Sequence, residues 1–195
     1  PDVAHGRVVI AHLGNGASMC AIADGRGAAS TMGFTALDGL AMGTRCGQID
    51  PGVLLYLLQS EGMSAEELAG LLYRKSGLLG LSGVSNDMRA LLADPSPAAQ
   101  RAVDYFAHRA RCEIGSLSAS LGGIDALVFC GGIGEHSSEV RARICKGLAF
   151  LGITLDEEAN ATHSFSIGTG GTRVLVIPTN EELVIARAVA EAVSA

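Results

Sequence analysis

The sequence contains no tryptophan, and phenylalanine and tyrosine bring the aromatic share of its 195 residues to only 4%. Its interior must therefore be built from aliphatic side chains, which suits a chain that is 48% hydrophobic. Lysine and arginine are too few for a nucleic-acid-binding surface, since the formal net charge is −6. No apolar run reaches the roughly 18 residues that a membrane-spanning helix needs. We expect a globular domain that binds neither nucleic acid nor a membrane.

Closely spaced cysteines are also missing. The five cysteines are odd in number, widely separated and without a C-x-x-C pair, which excludes a zinc knuckle or a thioredoxin-like site. This usage favours a reducing, cytoplasmic setting. The first residues, PDVAHG, lack an initiator methionine and any signal-peptide pattern, and they lead almost directly into a strand. We therefore expect the chain to be a fragment of a longer protein.

Strand and helix patterns follow one another in the order of an α/β protein. The start is rich in strands, the middle is helical, and strand–helix units follow. This order predicts a mixed β-sheet with helices packed against it. The predicted strands are 7–11, 17–23, 124–130 and 173–177, with a turn at 24–27 after the second.

Four helix starts carry capping signals. Asp50 precedes Pro51, Ser64 and Glu67 form a capping box in a helix that ends at Gly77, and Ser96 opens the longest helix. A short helix follows Ser85 or Asn86, either of which is the expected cap. Along the longest helix, apolar residues recur every three or four positions and predict one buried face: Val103, Phe106, Ala110, Ile114, Leu117 and Leu121.

Two predicted strands end in turns made of very small residues. HLGNGAS follows the first strand, and CGGIGEHSS follows strand 124–130 and leads into a helix predicted near Ser137. Glycine lets backbone N–H groups approach a phosphate, and a helix N-terminus favours anions. A tight hairpin or a close strand–helix contact explains each turn equally well, and neither matches a Walker loop or a dinucleotide fingerprint. Two such turns in one chain favour a nucleotide held between them.

A long glycine-rich stretch, 28–52, has weak periodicity and few charges. A loop of this length inside a compact domain is usually functional. Arg45 lies in it between Gly43 and Gly47, where a planar guanidinium could pair with a transferring phosphoryl group. The alternative is a surface arginine paired with Asp38 or Asp50.

Five further candidate residues, in three places along the chain, also have a structural explanation. Asp87 and Arg89 could contact a ribose or base, or Asp87 could simply belong to an acidic first helical turn. Glu181 or Glu182 could bind Mg²⁺, whereas complementing the helix dipole explains at least one of these carboxylates. His12 could contact a phosphate or the substrate, or it could be a structural residue at a strand end.

Six segments occur together and in order: HLGNGAS, STMGFTALDGL, MGTRCGQIDPG, SGLLGLSGVSNDMR, GGIGEHSSEVR and IPTNEELVIA. The set covers nearly the whole chain and closely resembles the acetokinase family. That family belongs to the actin-like ATPases and sugar kinases, whose domains are ribonuclease H-like. The resemblance implies an α/β fold with a mixed β-sheet and flanking helices.

The resemblance also implies a reaction. Family members transfer a phosphoryl group from ATP to a short carboxylate such as acetate, with Mg²⁺ (or Mn²⁺), or make ATP from ADP and acetyl phosphate. The transfer is direct and in line, so the enzyme positions the groups and neutralises their charge. Members are commonly homodimers that pair through the C-terminal domain.

Carried over residue by residue, the resemblance implies a set of site residues. Arg45 corresponds to the arginine that stabilises the transition state, and Glu181 to a magnesium ligand. The implied nucleotide-binding residues form three groups: His12, Leu13, Gly14, Asn15 and Gly16; Asp87, Met88 and Arg89; and Gly132, Ile133, Gly134, Glu135 and His136.

Two departures from the family pattern bear on function. His136 replaces the usual asparagine of the GIGEN segment, which alters a contact near the nucleotide. The family's N-terminal half, with a phosphate loop, a substrate arginine, a catalytic aspartate and a histidine, has no counterpart. We therefore expect residues 1–195 to be a C-terminal nucleotide-binding domain that is inactive by itself. The alternatives are part of a propionate or butyrate kinase, or a non-catalytic nucleotide-binding or dimerisation module.

Overall fold

One mixed sheet of five strands forms the frame of the fold. The computed structural model describes residues 3–194, except for the side chains at positions 181, 184 and 194. The strands are β1 (Arg7–Leu13), β2 (Ala17–Ala23), β3 (Arg26–Ser30), β4 (Ala126–Cys130) and β5 (Arg173–Val176). Their order in the sheet is β3-β2-β1-β4-β5. The β3-β2-β1 part is antiparallel and the β1-β4-β5 part is parallel, which confirms the predicted mixed sheet.

Helices flank this sheet, and most of the predicted starts are confirmed. Asp50, Ser64 and Ser96 each cap a helix through the side chain, and Glu67 completes the capping box with Ser64. None of the described helices is both long and apolar enough to cross a membrane. The helices are α1 (Pro51–Gln59), α2 (Ala65–Arg74), α3 (Gly77–Ser82), α4 (Met88–Ala93), α5 (Pro97–Ser120), α6 (Gly131–His136), α7 (Ser138–Cys145), α8 (Glu157–Ala161) and α9 (Glu181–Ser194), with a 3₁₀ turn at Ala149–Leu151.

Three local predictions are wrong. The turn expected at 24–27 is tighter, because β3 already begins at Arg26. Gly77 does not end α2, which stops at Arg74, but opens α3. The cap of α4 is Asp87 rather than Ser85 or Asn86, since the Asp87 carboxylate accepts the N–H of Arg89 at 2.9 Å.

The main core lies between α5 and the sheet. The predicted face of α5 is buried from Val103 to Leu117, and Leu121 is partly buried at its end. It packs with the side chains of Val9, Leu127 and Phe129 in one cluster. A smaller cluster that includes Val8, Ala126, Val128 and Leu175 forms separately. Because both sets alternate along β1 and β4, these central strands bury side chains on both faces.

The irregular segment 31–50 is held in place by two helix ends. At the C-terminal end of α2, the Leu72 carbonyl accepts the N–H of Cys46 at 3.0 Å, and the Tyr73 carbonyl accepts the Thr44 hydroxyl at 2.9 Å. At the start of α3, the N–H groups of Leu78 and Leu79 donate to the carbonyls of Met42 and Gly43. The turn that carries Arg45 is thereby fixed between α2 and α3.

Gly77 makes this arrangement possible. Its φ of 58° lies in the left-handed region, and a Cβ there would overlap the Met42 carbonyl oxygen and stand 2.7 Å from that of Arg45. Gly83 has a similar φ of 65°, but a Cβ there would meet nothing within 4 Å. A substitution at Gly83 therefore introduces backbone strain alone, whereas one at Gly77 introduces backbone strain and a steric overlap.

We expect Gly77→Ala to destabilise the fold far more than Gly83→Ala. Both substitutions carry the cost of a left-handed alanine, about 1–2 kcal/mol. Only Gly77→Ala also forces the Arg45 turn off the start of α3, which should add at least about 2 kcal/mol. Urea unfolding of both variants gives the two values. Equal losses would show that the contact at Gly77 does not hold the turn.

Candidate functional site

A cleft of about 690 Å³ opens where three segments meet that are distant in the sequence. The first is the β1–β2 turn, the second is the start of α4, and the third is α6 with the residue that follows it. The cleft-lining residues are Gly14 and Asn15; Asn86, Asp87, Met88, Arg89 and Leu92; and Gly132, Ile133, His136 and Ser137. Sequence reasoning selected all three segments, and the fold brings them together.

Asn15 connects the first turn to two other parts of the site. Its backbone carbonyl accepts the N–H of Gly43, at 2.9 Å, and its side-chain oxygen accepts a longer hydrogen bond from Asn86, at 3.4 Å. The turn itself is a tight hairpin, closed by the N–H of Gly14 donating to the Gly16 carbonyl at 3.0 Å. The segment is thus both the predicted hairpin and a wall of the cleft.

At the start of α4, Asp87 and Arg89 bind each other. The Asp87 carboxylate accepts from the Arg89 guanidinium at 2.8 and 3.2 Å, and this pairing holds the pKa of Asp87 below its usual value. The Arg89 side chain is nevertheless 92% exposed. Asp87 is thus the cap that precedes α4 and not part of an acidic first turn, which corrects the alternative stated for it, and both Asp87 and Arg89 line the cleft.

The glycine-rich segment after β4 is helical, whereas the sequence predicts a loop. Gly131 turns the chain with a φ of 74°, and α6 follows at once. The Glu135 carboxylate reaches back to accept the N–H of Gly131 at 2.8 Å and both the N–H and the hydroxyl of Thr179. Burial would raise the pKa of Glu135, but these hydrogen bonds hold it below its usual value. Glu135 therefore ties α6 to the segment that precedes α9.

The other end of α6 rests on Arg141, whose side chain is fully buried. Its guanidinium donates to the carbonyls of Gly134 and Glu135 at 2.8 and 2.9 Å, to Asn160 through both the side-chain and the backbone oxygen, and to Nδ1 of His163 at 2.9 Å. Burial lowers the pKa of Arg141. Its described acceptors are all neutral, so hydrogen bonds to oriented dipoles take the place of water around the charge.

Arg45 lies outside this cleft, in a neighbouring depression of about 410 Å³ with Ala69, Tyr73 and Arg74. One guanidinium nitrogen donates to the Ala36 carbonyl at 2.6 Å, and a Cβ on Gly16 would stand 2.8 Å from the other. Among the described residues no carboxylate forms an ion pair with Arg45, so the predicted alternative of Asp38 or Asp50 is not observed. The positive charge of Arg45 therefore lies beside the β1–β2 turn, and no described carboxylate is ion-paired with it.

Several predicted nucleotide-binding residues do not line the cleft and instead make contacts that stabilise the fold. His12 lies beside Cys130 on the neighbouring strand, with Nδ1 3.8 Å from Sγ. Leu13 is buried in the main core, and Gly134 is buried in α6. Gly16 packs against Arg45, and Glu135 bonds to Gly131 and Thr179, as described above.

The predicted metal ligand Glu181 is the first residue of α9, and its side chain lies outside the described residues. Across the part of the chain that the structure describes, no three His, Cys, Asp or Glu side chains form a group that could hold a metal ion. Mg²⁺ in a nucleotide site needs only one or two carboxylates, because phosphate and water oxygens supply the rest. The predicted site therefore needs only one protein carboxylate and no larger cluster.

Sequence reasoning missed the residues that support the cleft from behind. Arg141, Asn160 and His163 are not among the residues that line the cleft, and no spacing rule identifies them. The one available signal is the position of Arg141 in α7, directly after the apolar Val140 and three residues before the apolar Ile144, both of which are buried with it.

The fold and the cleft define the class of the protein. The mixed five-stranded sheet with flanking helices is the actin-like ATPase fold expected from the sequence. The Acetokinase family profile matches residues 2–187, and the chain belongs to this family.

Individual relatives agree with this assignment. An acetate kinase of Methylocella silvestris is 61% identical over 96% of this chain and 47% of its own length. The crystal structure of Porphyromonas gingivalis acetate kinase is 37% identical with a TM-score of 0.90, and covers 95% of this chain and 48% of its own. That of a Francisella tularensis propionate kinase is 41% identical with a TM-score of 0.88, over 93% and 48%. The chain thus spans about half the length of the relatives it matches.

We expect Arg141→Ala to lower the free energy of unfolding by at least about 3 kcal/mol, because it removes the donor to two carbonyls of α6 and to the side-chain oxygen of Asn160. Arg143→Ala, two residues along the same helix, is the matched control. Its ion pairs with Asp104 and Glu139 are partly exposed, so it should cost about 1 kcal/mol or less. Urea unfolding compares the two, and equal losses would contradict the supporting role of Arg141.

Proposed function

We propose that this chain is the C-terminal, nucleotide-binding domain of an enzyme that transfers a phosphoryl group reversibly between ATP and acetate. The observation that carries the proposal is the convergence of three separate family segments on one cleft. The acetate kinases among its relatives support acetate as the acceptor. Five cysteines without disulfides support a cytoplasmic location.

In this proposal ATP or ADP occupies the cleft between α4 and α6. Gly14, Asn15 and Gly132 bring backbone close to the phosphates, because they leave room where larger side chains would stand. Asp87 and Arg89 contact the ribose or base. Their mutual ion pair keeps both groups charged at the cleft edge before the ligand binds.

Arg45 stabilises the transferring phosphoryl group. An oxygen of the carboxylate attacks the γ-phosphorus while the bond from that phosphorus to ADP breaks, and negative charge spreads over the equatorial oxygens. Arg45 suits this task because the described structure binds it through a neutral carbonyl and leaves it without an ion-paired carboxylate. Its turn, fixed between α2 and α3, holds the guanidinium in position.

Mg²⁺ (or Mn²⁺) binds with the nucleotide, and Glu181 is its proposed protein ligand. When bound, the ion neutralises charge on the phosphate oxygens. The position of Glu181 supports this assignment, since it follows the segment that Thr179 ties to Glu135 at the base of α6. The N–H of Leu183 donates to the Asn180 side chain at 3.0 Å and so caps the start of α9.

We propose that this chain alone does not catalyse the transfer, because the family's other site residues belong to the half that it lacks. Propionate or butyrate kinase activity is the alternative within the family, supported by the similarity to a propionate kinase. Assays of a full-length relative with acetate, propionate and butyrate would distinguish these acceptors. A non-catalytic nucleotide-binding or dimerisation module is the remaining alternative.

We expect the purified chain to bind ATP and ADP with micromolar to low-millimolar affinity, and more tightly with Mg²⁺. Gly132→Ala tests the site directly, since a Cβ there meets nothing within 4 Å in the free protein and would project beside the bound nucleotide. It should raise the dissociation constant about tenfold or more, in line with the cost of crowding a packed contact. Calorimetry measures both the affinity and the effect of Mg²⁺.

Gly115→Ala is the control for that experiment. It makes the same change in α5, away from the cleft and also with nothing within 4 Å, and it should leave nucleotide affinity unchanged. Loss of binding in both variants would contradict the proposed site. Acetyl phosphate production by the chain above an enzyme-free blank would contradict the proposed inactivity.

We also propose that two copies of the chain pair through α1. No residue of this helix is buried, although it carries Val53, Leu55, Tyr56 and Leu58, each about 40–55% exposed. Covering such an apolar surface would be favourable at roughly 25 cal/mol per Å².

We expect sedimentation velocity to show a dimer that Leu55→Glu converts to a monomer. Ile185→Glu is the matched control, because Ile185 on α9 is an apolar residue that is exposed to 64%, against 54% for Leu55. A monomeric wild-type chain, or a dimer that only Ile185→Glu disrupts, would show that α1 is not the interface.

A further inference from the structure

His136, on the wall of the cleft, packs against a second histidine from a distant part of the chain. The rings of His136 and His163 meet edge to face, with centroids 6.4 Å apart and planes at 80°. His163 follows α8 and does not line the cleft. His163 therefore contacts a residue of the cleft wall without lining the cleft itself, as expected of a residue that supports His136.

The backbone and the ring of His163 are both held in place. Its φ of 54° lies in the left-handed region, and its N–H donates to the Asn160 carbonyl at 3.2 Å. Its Nδ1 lies 2.9 Å from the Arg141 guanidinium, which can only donate. Nδ1 must therefore be the acceptor, and the hydrogen of the neutral ring is on Nε2.

The charged groups around the pair favour this neutral form. His163 is exposed, but partial desolvation lowers its pKa, and the neighbouring Arg141 and His136 lower it further. On the other side of the pair, the Glu135 carboxylate lies 3.9 Å from Nε2 of His136, at the limit of an ion pair. His163 is thus a fixed, uncharged ring against which His136 rests.

His136 would otherwise have considerable freedom, because its side chain is 76% exposed. It stands three residues after Ile133, so both side chains share one face of α6 and both line the cleft. An imidazole beside an aliphatic side chain offers a flat ring face next to an apolar one. Such a surface suits a nucleobase better than it suits phosphate.

We propose that His163 is a positioning residue of the nucleotide cleft, holding the imidazole of His136 where the base of the bound nucleotide packs against it. This inference rests on the proposed binding of ATP or ADP. It assigns a role to a residue outside the cleft, connected to it through Arg141 and His136.

His163→Asn is the variant that separates positioning from support of the fold. Asparagine keeps an oxygen that can accept from Arg141 and tolerates a left-handed backbone, but it has no ring for His136. Urea unfolding should show a folded variant with a midpoint close to that of the wild type. We expect ADP affinity to fall about threefold to tenfold.

A double-mutant cycle with His136→Asn tests whether His163 acts through His136. If it does, His163→Asn should have no further effect on ADP affinity once His136 is asparagine. Equal effects in both backgrounds, or an unchanged affinity in the single variant, would overturn the proposal.

Proton NMR of the nucleotide-free chain gives a readout that does not need binding. The wild type should show a nuclear Overhauser effect between the two imidazole rings, and His163→Asn should shift the His136 ring resonances. If the wild type shows this contact but does not bind ADP, the proposed function fails and only the ring support remains. If the contact is absent, the positioning role is overturned whatever the affinity.

Discussion

The buried guanidinium of Arg141 is the constraint on which the rest of the site depends. It takes a positive charge out of water and surrounds it with carbonyl, amide and imidazole acceptors. Two of these are carbonyls in the last turn of α6, where the partial negative charge of a helix C-terminus lies. Their hydrogen bonds hold the glycine-rich segment as a helix at the edge of the cleft, and further bonds join α8 and His163 to the same point.

A neutral acceptor also binds Arg45, the arginine for which we propose a role in phosphoryl transfer. Arg45 is bound through the Ala36 carbonyl, although the chain has more acidic than basic residues. An arginine bound to a carboxylate would present little net charge to a phosphate, whereas one oriented by a carbonyl keeps its charge. Asn15 connects these regions, since it contacts Gly43 beside the Arg45 turn and Asn86 at the start of α4. The cleft and the arginine are therefore positioned by one network.

Local signals predicted the elements well where side chains and backbone agree. The buried strands β1 and β4, the face of α5 and the caps at Asp50, Ser64 and Ser96 could be predicted because each depends on residues close in sequence. Prediction failed at α6, where glycine disfavours a helix by about 1 kcal/mol per residue and Arg141 with Glu135 outweighs that preference. It also failed at Gly77, because the overlap that requires glycine is with a segment more than thirty residues earlier.

The sequence by itself determined the α/β class, the family and the three segments that line the cleft, because motif residues and periodicity are local properties. Only the tertiary structure decided which residues of those segments face the cleft. It directed Leu13 into the core, paired His12 with Cys130 and used Glu135 as a tie to Thr179. It also placed His163 behind His136, 27 positions away in the chain. Packing and hydrogen bonds between distant segments determine these orientations, and no spacing along the chain encodes them.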